Sequence, residues 1–200
     1  LGYYVAQPPP DKFPVSQQRS LRGSRHLARE KVLQILVATS DGEVSLDVAF
    51  PHIFYRQFTF DSVENPADLQ RILKPDEVFE MDADVPIVWA EEDLTYATTV
   101  LGAARDYRES SSTLIESHAT NWEVERIALI DRVLMHLAVA ELTACSDIPV
   151  KVTINEVIEL AKRYSTDKSG TFINGILDAI IVDLEAQGKI HKSGRGLITD

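Results

Sequence analysis

The residues in this chain best suited to chemistry are cations near its start. Arg22, Arg25, His26 and Arg29 fall just before and within the first turns of an apolar-periodic segment. Backbone amides at a helix entrance favour anions, so such a group could form a stripe that binds phosphate. The same residues also fit a plain solvated face, which is what a run of charges usually is. Composition leaves both readings open. A second group lies far along the chain, where Lys168 stands close to Phe172. A ring beside a cation can stack a base next to a phosphate contact, although a core position suits that phenylalanine equally well.

Other constellations carry less. Lys168-Ser169-Gly170-Thr171 has the letters of a phosphate loop in the wrong order, and it lies between two helical patterns rather than between a strand and a helix. His26 and Glu30 are four residues apart on one helix face, enough for two metal ligands but without a third, so a surface pair is the better reading. His136 with Asp131, Arg132 and Glu141 could suggest acid/base work in a buried setting. Structural hydrogen bonds account for these residues more simply, since catalysis also needs a cleft and a mutual geometry. There is no Gly-x-Ser-x-Gly elbow, and Cys145 has no evident activating partner. Nothing in the pattern calls for an enzyme, a metal or a cofactor.

The elements that must position these groups are helices. Residues 1–21, with Pro8-Pro9-Pro10 and Pro14, are expected to form an extended arm. Ser24 is a suitable N-cap for a helix running through Leu27, Ala28, Val32, Leu33 and Leu36 to the Ser40-Asp41-Gly42 turn. A weaker helical pattern covers 44–60, with Pro51 expected to break or kink it. Residues 61–85 are acidic and punctuated by Pro66 and Pro75. Helical periodicity resumes over 87–107 and again near 112–118. Asn121, with Glu123 and Glu125 behind it, is expected to cap a long helix ending near Ala144. That helix is apolar nearly all round, which predicts a buried central position. Ile154, Val157, Ile158 and Ala161 mark one face of the next helix, and Thr153 with Glu156 fits a capping box at its start. A polar turn at 165–170 separates it from a last helix through Phe172, Ile173, Ile176, Leu177 and Ile180, closing at Gly188. The expected architecture is all-α, about seven helices, with one helical domain over 22–188 and a basic tail over 189–200.

Composition sets outer bounds. The 200 residues, 44% hydrophobic, suffice for one sizeable core. A single cysteine forms no internal disulfide, and the lack of a signal-like start or a membrane-length apolar run points to a cytoplasmic protein. The net charge of −11 argues against a polyanion ligand until its distribution is seen: +4 over 1–31, −14 over 32–125 and −1 over 126–200. The acidity is concentrated in the middle.

The run IPVKVTINEVIELAKRYSTDKSGTFINGILD, preceded by NWEVERIALIDRVLMHLAVAEL, closely resembles the C-terminal half of the NusB family of bacterial transcription antitermination factors. SRHLAREKVLQIL resembles that family's N-terminal helix. The resemblance covers about 121–180 strongly and 24–36 moderately, and between these it rests mainly on the helix around 96–102. It implies two small helical bundles packed together and no catalysis. The implied function is binding of boxA RNA in ribosomal RNA leader transcripts, jointly with the small-subunit ribosomal protein NusE, in a complex that keeps RNA polymerase from terminating early. By family position Arg25, His26 and Arg29 match the helix that meets RNA, and Lys168 and Phe172 match the turn and helix start beside it. Asp131 is expected near the junction with NusE.

Two departures matter. Val37 stands where the family often has an aromatic residue, and Arg25-His26-Leu27 replaces a denser arginine run. Both imply weaker intrinsic RNA affinity, offset by Lys168, Arg163, the basic tail and the partner protein. The acidic stretch 61–92 is longer than the family pattern and could repel RNA, shield the site or meet another factor. Two further readings stay open: a scaffold that engages NusE, or itself as a homodimer, with little RNA contact; and an accessory domain of a ribosomal RNA cytosine methyltransferase, for which the Rossmann glycine motif and catalytic cysteine are missing.

Overall fold

The computed structural model describes residues 21–55, 87–119 and 127–190. The arm through residue 20, the acidic segment over 61–86, the Asn121 cap with Glu123 and Glu125, and the tail from 191 onward lie outside these. Within them the chain forms seven helices and one minimal strand pair. The helices are α1 (Arg25–Ala38), α2 (Leu46–Phe54), α3 (Glu91–Asp106), α4 (Arg108–His118), α5 (Leu129–Ala144), α6 (Val150–Tyr164) and α7 (Ser169–Ala186).

Each start and stop has a local cause. Ser24 caps α1 as expected, its hydroxyl oxygen accepting from the Leu27 amide at 3.2 Å. Within the 44–60 pattern the helix is Leu46–Phe54, which runs through Pro51 and ends about a turn beyond it, so the proline does not break the helix at its own position. Helix α7 stops where Gly188 takes a left-handed φ of 64°, a conformation that glycine adopts without steric cost.

Three expectations need correction. Leu21 and Arg22, at the edge of the expected arm, form β1 and pair in parallel with β2, Ile87–Val88, in register Leu21↔Ile87 and Arg22↔Val88. Two residues are too few to show alternation, so the ladder leaves no signal in the sequence. Trp89 therefore precedes α3 and is not part of it; its ring stacks on Phe54 at 4.2 Å and its indole N–H donates to the Phe54 carbonyl at 2.8 Å. Second, the central helix begins at Leu129, after the buried Ile127, rather than near 123. Third, the Thr153–Glu156 capping box does not form. Helix α6 already starts at Val150, behind Pro149, and both side chains are engaged with other helices.

Helix α5 is central as its composition predicts: it packs against α1, α3, α4, α6 and α7. One bundle gathers α1 and α3 on it, with α2 packed on α1; the other gathers α4, α6 and α7. Leu134, Met135, Leu137, Ala138 and Leu142 of α5 are essentially inaccessible. In α6 the buried stripe is Thr153, Val157, Leu160 and Ala161, with Ile154 and Ile158 at its edges. A polar residue, Thr153, thus stands at a core position. The reason is the buried carboxylate it faces.

Candidate nucleic-acid interface

Helices α1 and α6 both lie against α5 and are tied to each other by long side chains. The tie is built around Glu141 of α5, which is fully buried. Its carboxylate accepts from Arg29 Nε at 2.7 Å and Arg29 Nη2 at 3.1 Å, a two-point guanidinium contact. It also accepts from Thr153 Oγ1 at 2.7 Å and from the Tyr96 hydroxyl. Burial works against charge on Arg29, but the hydrogen bond and charge of Glu141 outweigh it and hold the guanidinium above its ordinary pKa. Burial, then the Glu141 charge, raises the Tyr96 phenol. Among the described residues no buried side-chain polar atom lacks a partner. Arg29 Nη1 continues the chain of contacts to Glu156 Oε2 at 3.0 Å, and the His26 ring Nδ1 sits 2.7 Å from the same oxygen.

At the next position along α1, Glu30 receives Arg163 Nη1 at 2.8 Å and the Tyr164 hydroxyl at 2.6 Å. Arg163 itself is 61% exposed and its guanidinium lies over the Tyr164 ring at 5.3 Å from the centroid. The C-terminal end of α6 is thereby fixed beside α1.

The turn after α6 is anchored from below. Asp131, in the first turn of α5 and buried, accepts from Ser165 Oγ at 2.5 Å and Ser169 Oγ at 2.8 Å. Ser169 Oγ in turn accepts from the Thr166 amide at 3.3 Å. This latch holds the polar turn in shape, with Lys168 exposed on it directly before α7. Phe172 is partly buried and packs against the core.

The expected site residues therefore separate into two groups. Arg22, Arg25, His26 and Lys168 remain accessible. Of these, Arg25 is partly committed: it donates to Asp93 at 3.2 Å and to the Glu92 carbonyl at 3.4 Å, and lies over the Tyr96 ring. Arg29 and Asp131 are buried and held by internal partners, so neither presents its charge to solvent. Arg29 sits on the inward side of α1, a position the charge pattern alone did not separate from Arg25. Arg163 joins the exposed group, and its signal was the basic end of α6. Among the described residues no cluster of three or more His, Cys, Asp or Glu could hold a metal, and no helix is long and apolar enough to cross a membrane.

Comparison with known proteins agrees with this architecture. The chain is 54% identical over 90 residues to the transcription antitermination protein NusB of Salinibacter ruber, a match spanning 45% of this chain and 56% of that protein. The chain spans about half the length of the curated relatives it matches. Among solved structures, T. maritima NusB superposes with a TM-score of 0.59 at 26% identity, covering 82% of this chain and 94% of that one. A crystal structure of the antitermination factors NusB and NusE in complex with dsRNA has a TM-score of 0.56 at 21% identity, covering 80% and 96%, and shares the fold. The family model described as the NusB family matches residues 58–182, more than half of the chain. With its seven described helices and the family match agreeing, the chain belongs to the NusB family.

Proposed function

We propose that this chain acts in transcription antitermination as a non-catalytic RNA-binding factor. It recognises boxA-type single-stranded RNA of ribosomal RNA leaders jointly with NusE, in the complex that prevents early termination by RNA polymerase in the cytoplasm. The observation that carries this reading is the clamp between α1 and α6. It fixes the start of α1, with Arg25 and His26 on it and Arg22 just before it, beside the end of α6 that carries Arg163. The Asp131 latch fixes the turn that carries Lys168, so these accessible cations stand on neighbouring rigid elements. Cations on a rigid frame suit a phosphate backbone. Phe172, partly exposed beside Lys168, supplies a stacking ring. Family membership supports the antitermination role, and the related NusB–NusE complex with dsRNA supports NusE and RNA as partners.

One observation favours a second reading. Arg25, His26 and Arg29 are all engaged by carboxylates of this chain, and the net charge is −11. That suits a scaffold whose main contact is NusE or a second copy of itself. The two readings separate in one experiment: titration of a boxA-like RNA and a scrambled control across a salt series, with and without NusE. A preference for boxA of about tenfold or more, strengthened by NusE and weakened by Lys168→Glu, supports RNA recognition. Equal, negligible binding to both RNAs with NusE present supports the scaffold and overturns the primary reading.

A further inference from the structure

A cavity of about 780 Å³ lies at the opposite end of α1, away from the α1–α6 clamp. It is bounded by the Ser40–Leu46 turn, the α3–α4 junction and the first two turns of α5. Arg105, Arg108, Arg132 and His136 all line it. Arg132 and His136 are one turn apart on α5 and so share a face. Arg108 donates to the Ser40 carbonyl at 3.1 Å, which holds its guanidinium across the cavity wall. Arg105 pairs at the rim with Asp106. Arg132 is half-buried, yet among the described residues no hydrogen bond, ion pair or ring contact engages its side chain. Its guanidinium nitrogens reach the open space of the cavity, so they are free to meet an anion there.

Carboxylates in the same cavity do not supply that anion. Asp41 and Glu116 both line the space, and neither is joined to any of the arginines by an ion pair among the described residues. The side chain of Asp41 is turned to its own loop, accepting from the Glu43 amide at 3.0 Å. With Arg105 matched by Asp106, the positive charge that faces the cavity is that of Arg108 and Arg132. It is concentrated on the α4 and α5 walls, where both arginines approach His136 closely enough to disfavour its protonation. Ser112 and Ser45 add hydroxyls, and Ser45 precedes α2 without using its side chain as a cap. The rest of the wall is apolar, including Leu36, Leu101, Ile115 and Val133. Guanidinium forks match phosphate geometry, and apolar walls suit an uncharged body attached to it.

We infer that this cavity is a second binding site, separate from the α1–α6 surface, that takes a phosphate group carried on a nucleotide-sized body. Arg108 and Arg132 grip the phosphate, and the apolar wall between α1 and α3 receives the rest. The inference does not rest on the proposed RNA function, because the cavity shares no residue with that surface. A cavity of this volume accommodates a nucleoside monophosphate. The shared chemistry is the phosphate; its source is either a free nucleotide or one residue of an RNA chain.

The test is calorimetric and NMR titration of the full chain with four probes: inorganic phosphate, adenosine 5′-monophosphate, the dinucleotide ApA with only an internal phosphodiester, and uncharged adenosine. Saturable binding of the monophosphate, about tenfold or more tighter than adenosine, with movement of the His136 ring resonances, is the expected result. Saturation by ApA but not by the monophosphate supports the pocket and assigns it to an RNA backbone phosphate. Arg132→Gln should weaken binding by about tenfold or more, as befits removal of a charge-assisted hydrogen bond. Arg108→Gln, which takes away the other half of the grip, is the second variant should the first not fold, and a similar weakening is expected of it. Absence of saturation by all the phosphate-bearing probes, or binding unchanged in a folded Arg132→Gln or Arg108→Gln protein, overturns the inference.

Discussion

Arg29 Nε donates to Glu141 Oε2 at 2.7 Å between two side chains that are almost wholly inaccessible, linking the first helix to the central one across 112 positions of sequence. Removing one member of such a pair leaves the other charge buried without its partner, which typically costs about 3–5 kcal/mol. Arg29→Met should therefore lower the urea midpoint sharply. Combining it with Glu141→Leu should recover a substantial part of the loss, since replacing a whole buried pair with apolar groups is often near neutral. A single-variant cost below about 1 kcal/mol would mean that Tyr96 and Thr153 satisfy Glu141 by themselves.

Asp131 and Ser169 make the second internal connection that decides surface shape. Ser169→Ala removes a buried hydroxyl that donates to Asp131 Oδ2 and accepts from the Thr166 amide. The expected cost is about 1–3 kcal/mol, concentrated in the turn. Hydrogen exchange reads this directly: the Thr166 amide should exchange much faster in the variant, while amides in the middle of α5 change little. Uniform acceleration across both helices would show that the latch belongs to the global core.

Much of this framework is visible in the residues. Ser24 as a cap, the apolar circumference of α5, and the breaks at Ser40-Asp41-Gly42 and Gly188 are local signals, and local physics decides them. What stays hidden is which face of a short amphipathic segment turns inward when both faces carry charge. Arg25 and Arg29 are identical in type and four residues apart, yet one is about a third exposed and the other is enclosed. The difference is made by Glu141, more than a hundred residues away, which Arg29 alone of the two reaches; the Tyr96 ring lies against both arginines. Thr153 is misread as half of a capping box for the same reason, because its partner is tertiary. The two-residue β1–β2 ladder carries too few residues for any period to show.

Gly23 shows how tightly that ladder is set. A Cβ added there would lie 2.4 Å from Trp89 Cε3, so the ring would have to move. Its stack on Phe54 and its hydrogen bond to the Phe54 carbonyl fix it in place. Gly23→Ala should cost about 1–3 kcal/mol, as overpacking generally does, and should alter tryptophan fluorescence. Unchanged emission with unchanged stability would show that the ring is free to yield.

For RNA, the exposed cations and the enclosed one should behave differently in the salt dependence of affinity. Removing a single phosphate contact reduces the slope of log K against log salt by about 0.7 for single strands. The Lys168 and Arg22 side chains make no ion pair or hydrogen bond within the chain among the described residues. Lys168→Gln and Arg22→Gln should each flatten the slope by about that amount without destabilising the fold. Glu159→Gln, at an exposed pair with Lys162, is the control and should leave binding nearly unchanged or slightly stronger. Slopes that are the same in all three variants would move the RNA interface off this surface.

His136 supplies the pH prediction. Burial first, then the charges of Arg108 and Arg132, lower its folded pKa from 6.5 to about 4. Above 6.5 the imidazole is neutral in both states and its contribution to stability is intact. As pH falls from 6.5 to 4 the unfolded chain takes up a proton that the folded chain resists, so stability declines through that window and levels below it. The decline attributable to this residue should be roughly 1–3 kcal/mol, given partial exposure of the site. It is isolated by measuring urea unfolding of the wild type and His136→Gln at about pH 7, 5.5 and 4: the stability advantage of the histidine should shrink as pH falls. His136 also lies 2.5 Å from Ser111 Oγ, so the variant has its own cost at every pH, and only the pH-dependent part bears on the charge. An advantage that stays constant from about pH 7 to 4 would mean that the folded imidazole protonates as readily as a free one, and that Arg108 and Arg132 do not converge on it.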